Sequence, residues 1–202
     1  MAPRISQADQ AAAHGTSEVA VCLTGNARSL SHTAPNIERY LLTPLRATSQ
    51  AVRFFAVVSA EDRRKPGLNQ SDELNATPQY VRRIIAHKLN GEPTSVVTET
   101  DPPVTVNEHC ELETSSYMAA RAQLLRWLGQ WSKVERCFGL VIAAERAQAR
   151  RFSHVIRVRT DLYFLSAINW PDIHAAVEGR ARVAIPRGIS YSWINDHFAV
   201  RS

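Results

Sequence analysis

At 202 residues the chain suits one domain with a sizeable core, and 45% hydrophobic against 21% charged residues excludes a disordered polymer. The 24 basic and 19 acidic residues leave a net charge of +5, a bias that suits anionic ligands, phosphates above all. No run approaches the roughly 18 apolar residues of a membrane span, and the N-terminus lacks a signal-peptide core.

Residues 1–17 are rich in Ala, Gln and Ser and aperiodic, which predicts a disordered lead-in to a single domain over 18–202. Glu18 to Leu23 (EVAVCL) is a continuous apolar run, the pattern of a strand buried on both faces of a parallel sheet. Thr24 to Ser29 reads as a turn, followed by a helix from Ala34 to about Arg46 with Pro35 in its first turn. Arg53 to Ser59 (RFFAVVS) is a second buried strand. Glu61 to Thr77 is polar, hence a surface loop, and it carries the sequons Asn69-Gln70-Ser71 and Asn75-Ala76-Thr77, the second weakened by Pro78, which lean toward a secretory compartment. A chain complete as it stands would instead be expected in the cytoplasm. Gln79 to Leu89 has apolar residues at helical spacing, Val96 to Thr98 is a weak strand, and Asp101-Pro102-Pro103 breaks the chain.

From Ser115 to Arg151 helical periodicity dominates, with Leu124, Leu128, Trp131, Val134, Phe138 and Val141 on one apolar face. Gly129 and Gly139 each cost about 1 kcal/mol relative to alanine, so a kink is expected near one of them. Ser132, with Glu135 three residues on, reads as a cap for a second helix. Trp127 and Trp131 read as core aromatics before they read as a ligand-stacking pair. A strand follows at His154–Arg159, then a loop into a short helix near Ile168–Asp172, a strand over Ala181–Pro186, and the segment Tyr191–Phe198. Strands separated by helices predict an α/β fold with a mainly parallel sheet.

Three places carry chemistry. Strand alternation puts Val155, Arg157 and Arg159 on one face and Ile156 and Val158 on the other, with Asp161 just past the carboxyl end, where open α/β sheets hold ligands. Arginine is a planar fork matched to phosphate, and an aspartate beside phosphates suits a hard divalent cation. The plainer reading is an ion pair closing a sheet edge. In the first turn, Gly25 allows close backbone approach, Asn26 leads into the helix, and Arg28 adds charge beside its free N–H groups. Near the end, Asn195-Asp196-His197 offers a carboxylate as base or acceptor ligand, or a simple Asx turn. Cys22, Cys110 and Cys137 are odd in number and far apart, which predicts no disulfide framework and no zinc site. Glu108, Glu111 and Glu113 read as a solvated cluster, and Glu145 as a partner for Arg157 or Arg159.

Taken in order, VAVCLTGNARS (Val19–Ser29), WSKVERCFGLVIAAE (Trp131–Glu145), HVIRVRTDLYF (His154–Phe164) and WINDHFAVR (Trp193–Arg201) resemble a group of GT-A-like glycosyltransferases. These are relatives of lipopolysaccharide and capsule sugar transferases, with uncharacterised plant and algal members. The resemblance implies a Rossmann-like three-layer sandwich and transfer of a sugar from a nucleotide-sugar donor to a glycan, lipid or protein acceptor. By position, Gly25, Asn26, Arg28, Arg157 and Arg159 would hold the donor, Asp161 would ligate Mn²⁺ or Mg²⁺, and Asn195 and Asp196 would face the acceptor. Two departures stand out. The family's paired carboxylates are here Arg159-Thr160-Asp161, with one acid, which puts metal dependence in question. The chain also stops after Phe198–Ser202, where another helix is expected, so it reads as shortened at its C-terminus. Two other readings remain open. One is a non-catalytic nucleotide-sugar or carbohydrate-binding domain of the same fold. The other is a basic nucleic-acid-binding module, although no nucleic acid is expected as a partner, because the arginines are dispersed and lack interleaved aromatics.

Overall fold

The computed structural model describes residues 18–48, 50–59, 77–99, 117–179, 183–184 and 198–201. The predicted lead-in, the sequon loop, Cys110, the Glu108–Glu113 cluster and Asn195–His197 lie outside the described residues. Among those described, one sheet has the strand order β3-β2-β1-β4-β6-β5. Its strands are β1 (Glu18–Asn26), β2 (Ala51–Ser59), β3 (Pro93–Glu99), β4 (His154–Arg159), β5 (Val183–Ala184) and β6 (Phe198–Arg201). The pairs β1–β2, β2–β3 and β1–β4 are parallel, while β6 runs antiparallel to both β4 and β5. The expected α/β fold with a mainly parallel sheet is therefore present.

Helices cover both faces, which is why the central strands are apolar without alternation. On one side α1 (Ala27–Ile37), α3 (Pro78–Lys88) and α5 (Trp170–Gly179) bury Leu30, Ile37, Val81, Ile85 and Trp170 against Val21, Leu23, Phe54, Ile156 and Val158. On the other, α4 (Tyr117–Gln148) packs Cys137 and Val141 against Ala20, Cys22, Phe55 and Val155. Ile156 and Val158 thus fall on one face and Val155 on the other, as alternation requires.

Three local expectations need correction. The first helix starts at Ala27, not Ala34, because β1 continues to Asn26, which supplies the extended residue before the helix. Pro35 consequently lies inside α1, where it removes the N–H that would reach the Ser31 carbonyl. Lys88 Nζ donates to that carbonyl instead, at 2.8 Å. The helix continues through a π-helical stretch (Glu38–Leu42) into the short α2 (Thr43–Arg46). There Pro44 frees the Tyr40 carbonyl, which accepts from Ile168 N–H at 2.9 Å. Second, α4 is continuous: nothing presses on Gly129 or Gly139, and packing of Val134, Cys137 and Val141 outweighs the local propensity loss. Third, Cys22 and Cys137 form a buried disulfide with a Cα–Cα distance of 6.1 Å. The separation of 115 residues hides this pairing in the sequence; it follows from Cys22 facing the α4 layer opposite Cys137.

Candidate functional site

The strand order 3-2-1-4 places a topological switch point between β1 and β4, since the chain leaves β1 in one direction across the sheet and returns on its other side. The carboxyl ends of these two strands meet directly. Thr24 is in register with Arg159, and Thr160 N–H donates to the Thr24 carbonyl at 3.0 Å. Gly25 has φ +137°, and a Cβ added there would overlap the Thr160 Oγ1 and lie 3.4 Å from the Thr160 nitrogen. Glycine is therefore required twice over, by backbone conformation and by space. The two segments predicted to serve one ligand, Gly25–Arg28 and Arg157–Asp161, are adjacent across one strand pair.

The charged side chains differ in how they are held. Arg157 is buried at 3% exposure, with its guanidinium 5.5 Å from the Trp131 ring centroid. Trp131 is itself 48% exposed, so it borders the α4 layer and is no core residue as the periodicity suggested; the Trp127 side chain lies outside the description. Arg159 forms a two-pronged pair with Asp161, Nε to Oδ1 at 2.8 Å and Nη2 to Oδ2 at 2.7 Å. Arg28 is exposed in the first turn of α1, and Asn26 is exposed at the helix entry without capping it through its side chain. Lys133, also buried at 3%, donates to the Gly129 carbonyl one turn earlier in α4 at 3.2 Å. The hydroxyls of Thr24 and Thr160 are buried with no hydrogen-bond partner among the described residues.

Glu145 does not meet either arginine. It lies at the other end of the sheet, accepting from Phe152 N–H at 3.1 Å, because α4 runs antiparallel to the strands and its last turns reach their amino ends. A hollow of about 600 Å³ opens there, lined by Glu145, Arg146, Arg150 and Arg151. We favour the carboxyl edge as the candidate site, because strand ends, a helix start and the glycine approach converge at that edge alone among the described residues.

The donor set fits a metal poorly. Both Asp161 oxygens accept from one guanidinium, and among the described residues no group of three or more His, Cys, Asp or Glu side chains could hold an ion. No protein-family model matches this chain, and no curated protein matches it either.

Proposed function

We propose that the protein is a glycosyltransferase-like enzyme with a Rossmann-like, GT-A-like domain, taking a sugar from a nucleotide-sugar donor bound at the carboxyl ends of β1 and β4. The observation that carries this reading is the direct meeting of the Gly25–Arg28 turn with Arg159–Asp161 at the switch point. A diphosphate lying there would meet the N–H groups opening α1, with Arg28 on one side and Arg159 on the other. Charge grows on the diphosphate as the sugar departs, and fixed cations aimed at it stabilise that charge more than the ground state. The Thr24 and Thr160 hydroxyls, buried without protein partners among the described residues, are groups that a polar ligand would satisfy. Asn195 and Asp196 remain the proposed acceptor-side residues. Mn²⁺ or Mg²⁺ at Asp161 would supply further charge neutralisation, but because the donor set fits it poorly, arginine carries that role in this proposal. The buried Cys22–Cys137 bond favours an oxidising compartment.

The Arg159–Asp161 clasp also favours a second reading, a binding domain without turnover, since the acidic position is occupied by its own arginine. A thermal-shift series with nucleoside diphosphates and their sugars tests binding. At 100 times Kd a ligand adds about 2.7 kcal/mol of stability. Arg28→Ala and Arg159→Ala should each weaken binding about tenfold or more. Saturable binding without sugar release or transfer would select the second reading, and no binding by any nucleoside diphosphate would refute both.

A further inference from the structure

The segment between β4 and α5 runs alongside α1 and is tied to it at every turn. Thr33 Oγ1 donates to the Thr160 carbonyl at 2.6 Å. Asn36 clasps Phe164, accepting from its N–H at 2.7 Å and donating to its carbonyl at 2.9 Å. Ile168 N–H donates to the Tyr40 carbonyl freed by Pro44. Phe164 and Ile168 pack inward against the core. Between these anchors the chain presents Leu165 at 98% exposure and Tyr163 at 59%. Such a strap is held in place, so its apolar side chains stand in water because the backbone is fixed there, and not because the segment drifts.

The flank beside these side chains is basic. In a helix, residues at steps of four and seven share a stripe. Arg28, His32, Pro35 and Arg39 are all exposed and form such a stripe, opposite the buried Leu30, Ala34 and Ile37. Tyr163 reaches the stripe through a hydrogen bond from its hydroxyl to the His32 carbonyl at 3.4 Å. Lys88, exposed and bonded to Ser31, extends the positive band on the other flank of α1. Among the described residues, Glu38 beside the band is bound by Arg46 at 2.7 Å and Asp161 by Arg159 at 2.7 Å.

We propose that this face, the Tyr163–Leu165 tip with the Arg28, Arg39 and Lys88 band, docks on an anionic bilayer surface. An apolar tip with an amphipathic aromatic and a ring of cations is the chemistry of interfacial attachment, in which leucine enters the acyl boundary and cations remain among the headgroups. No helix among the described residues is long and apolar enough to cross a membrane, so this contact is one of lying on the surface. Arg28 also belongs to the proposed donor site, whereas Tyr163, Leu165, Arg39 and Lys88 do not, and lipid binding through them requires no nucleotide.

Co-sedimentation of the full chain with phosphatidylcholine vesicles, and with vesicles holding about one-third phosphatidylserine, tests it. Binding is expected to the mixed vesicles and to be at least tenfold weaker to pure phosphatidylcholine. Leu165→Asp should lower binding to mixed vesicles about tenfold or more, and Arg39→Glu about fivefold or more. Both positions are exposed, so unchanged melting temperatures will certify the fold. No binding to the mixed vesicles at 0.1 M salt would overturn the proposal. So would binding indifferent to Leu165→Asp, or full competition by an oligonucleotide, each of which would mark a plain polyanion surface.

Discussion

Replacing Gly25 by alanine should damage both stability and ligand binding, and the size of the effect follows from two features. The first is backbone: φ at +137° is a region L side chains rarely adopt, and a Cβ in such a conformation costs about 1–2 kcal/mol. The second is space. The new Cβ would overlap Thr160 Oγ1, and Thr160 cannot simply retreat, because its N–H bonds Thr24 and its carbonyl bonds Thr33. Overpacking of this kind adds about 1–3 kcal/mol, and the stiffer unfolded chain returns about 0.4–1 kcal/mol. A net loss of about 2–4 kcal/mol is expected, or a melting temperature lower by about 5–15 °C for a chain of this size. The decisive assay is a double-mutant cycle by chemical denaturation with Thr160→Ala. That change removes the overlapping oxygen, and the Thr160 Cβ would then sit 3.5 Å from the added Cβ, an ordinary contact. The cycle should show a coupling of about 1 kcal/mol or more, with Gly25→Ala milder in the Thr160→Ala background. Additive effects, or a Gly25→Ala loss below about 1 kcal/mol, would refute the close-approach account.

Three further outcomes are expected. Replacing Cys22 and Cys137 together by alanine, which opens a loop of 115 residues, should remove about 4–5 kcal/mol by chain entropy, read by denaturant titration with and without reductant. For Glu18, burial raises the pKa, but the hydrogen bonds and charges of Arg150 and Arg53 outweigh it and the carboxyl is held below its ordinary value. A depressed folded pKa means that this stability is complete above the unfolded carboxyl pKa and disappears as pH falls through the folded one. Glu18→Gln should therefore destabilise at pH 7, and its deficit against the parent should shrink on acidification below about pH 4.5, as melting temperatures across pH will show. Asp161→Asn removes the carboxylate that competes for Arg159, so nucleoside diphosphate affinity by calorimetry should hold or rise by about two- to fivefold and ignore EDTA. A loss of affinity that tracks Mn²⁺ would reinstate Asp161 as a metal ligand.

What the sequence made legible was whatever depends on short-range pattern. The apolar runs at Val19, Arg53 and Val155 had to be covered strands, and they are β1, β2 and β4, neighbours in the parallel part of the sheet. The position of Asp161 past a strand end and of Gly25 before a helix placed both at the carboxyl edge. What escaped depends on contacts across the chain. Cys22 and Cys137 meet only because α4 lies over β1, and no spacing rule encodes that. Pro35 looked like a helix start, because its missing N–H is harmless there. Within α1 the same defect is made good by Lys88, a side chain 57 residues away from Ser31. Trp131 shared the helical period of the core residues, yet it sits at the margin of the stripe, over Arg157.

The two arginines of β4 carry equal charge on the same strand face, and their surroundings give them different parts. Arg157 lies at 3% exposure beside an indole, and moving it would uncover a buried cation and break its stacking. Its charge is a fixed part of the sheet's carboxyl end. Arg159 stands two residues nearer the edge, its side chain 21% exposed and bound to an Asp161 that is 47% exposed. Water and salt weaken an ion pair so exposed, while its two-pronged geometry holds it above a single-contact surface pair. In the proposed donor site a diphosphate would offer Arg159 the same bidentate geometry with more negative charge, and so would compete with Asp161 for it. On that proposal Asp161 would act as a placeholder that holds the guanidinium before ligand arrives. A buried cation behind and an exchangeable one in front would then let the proposed site both admit a nucleoside diphosphate and release it.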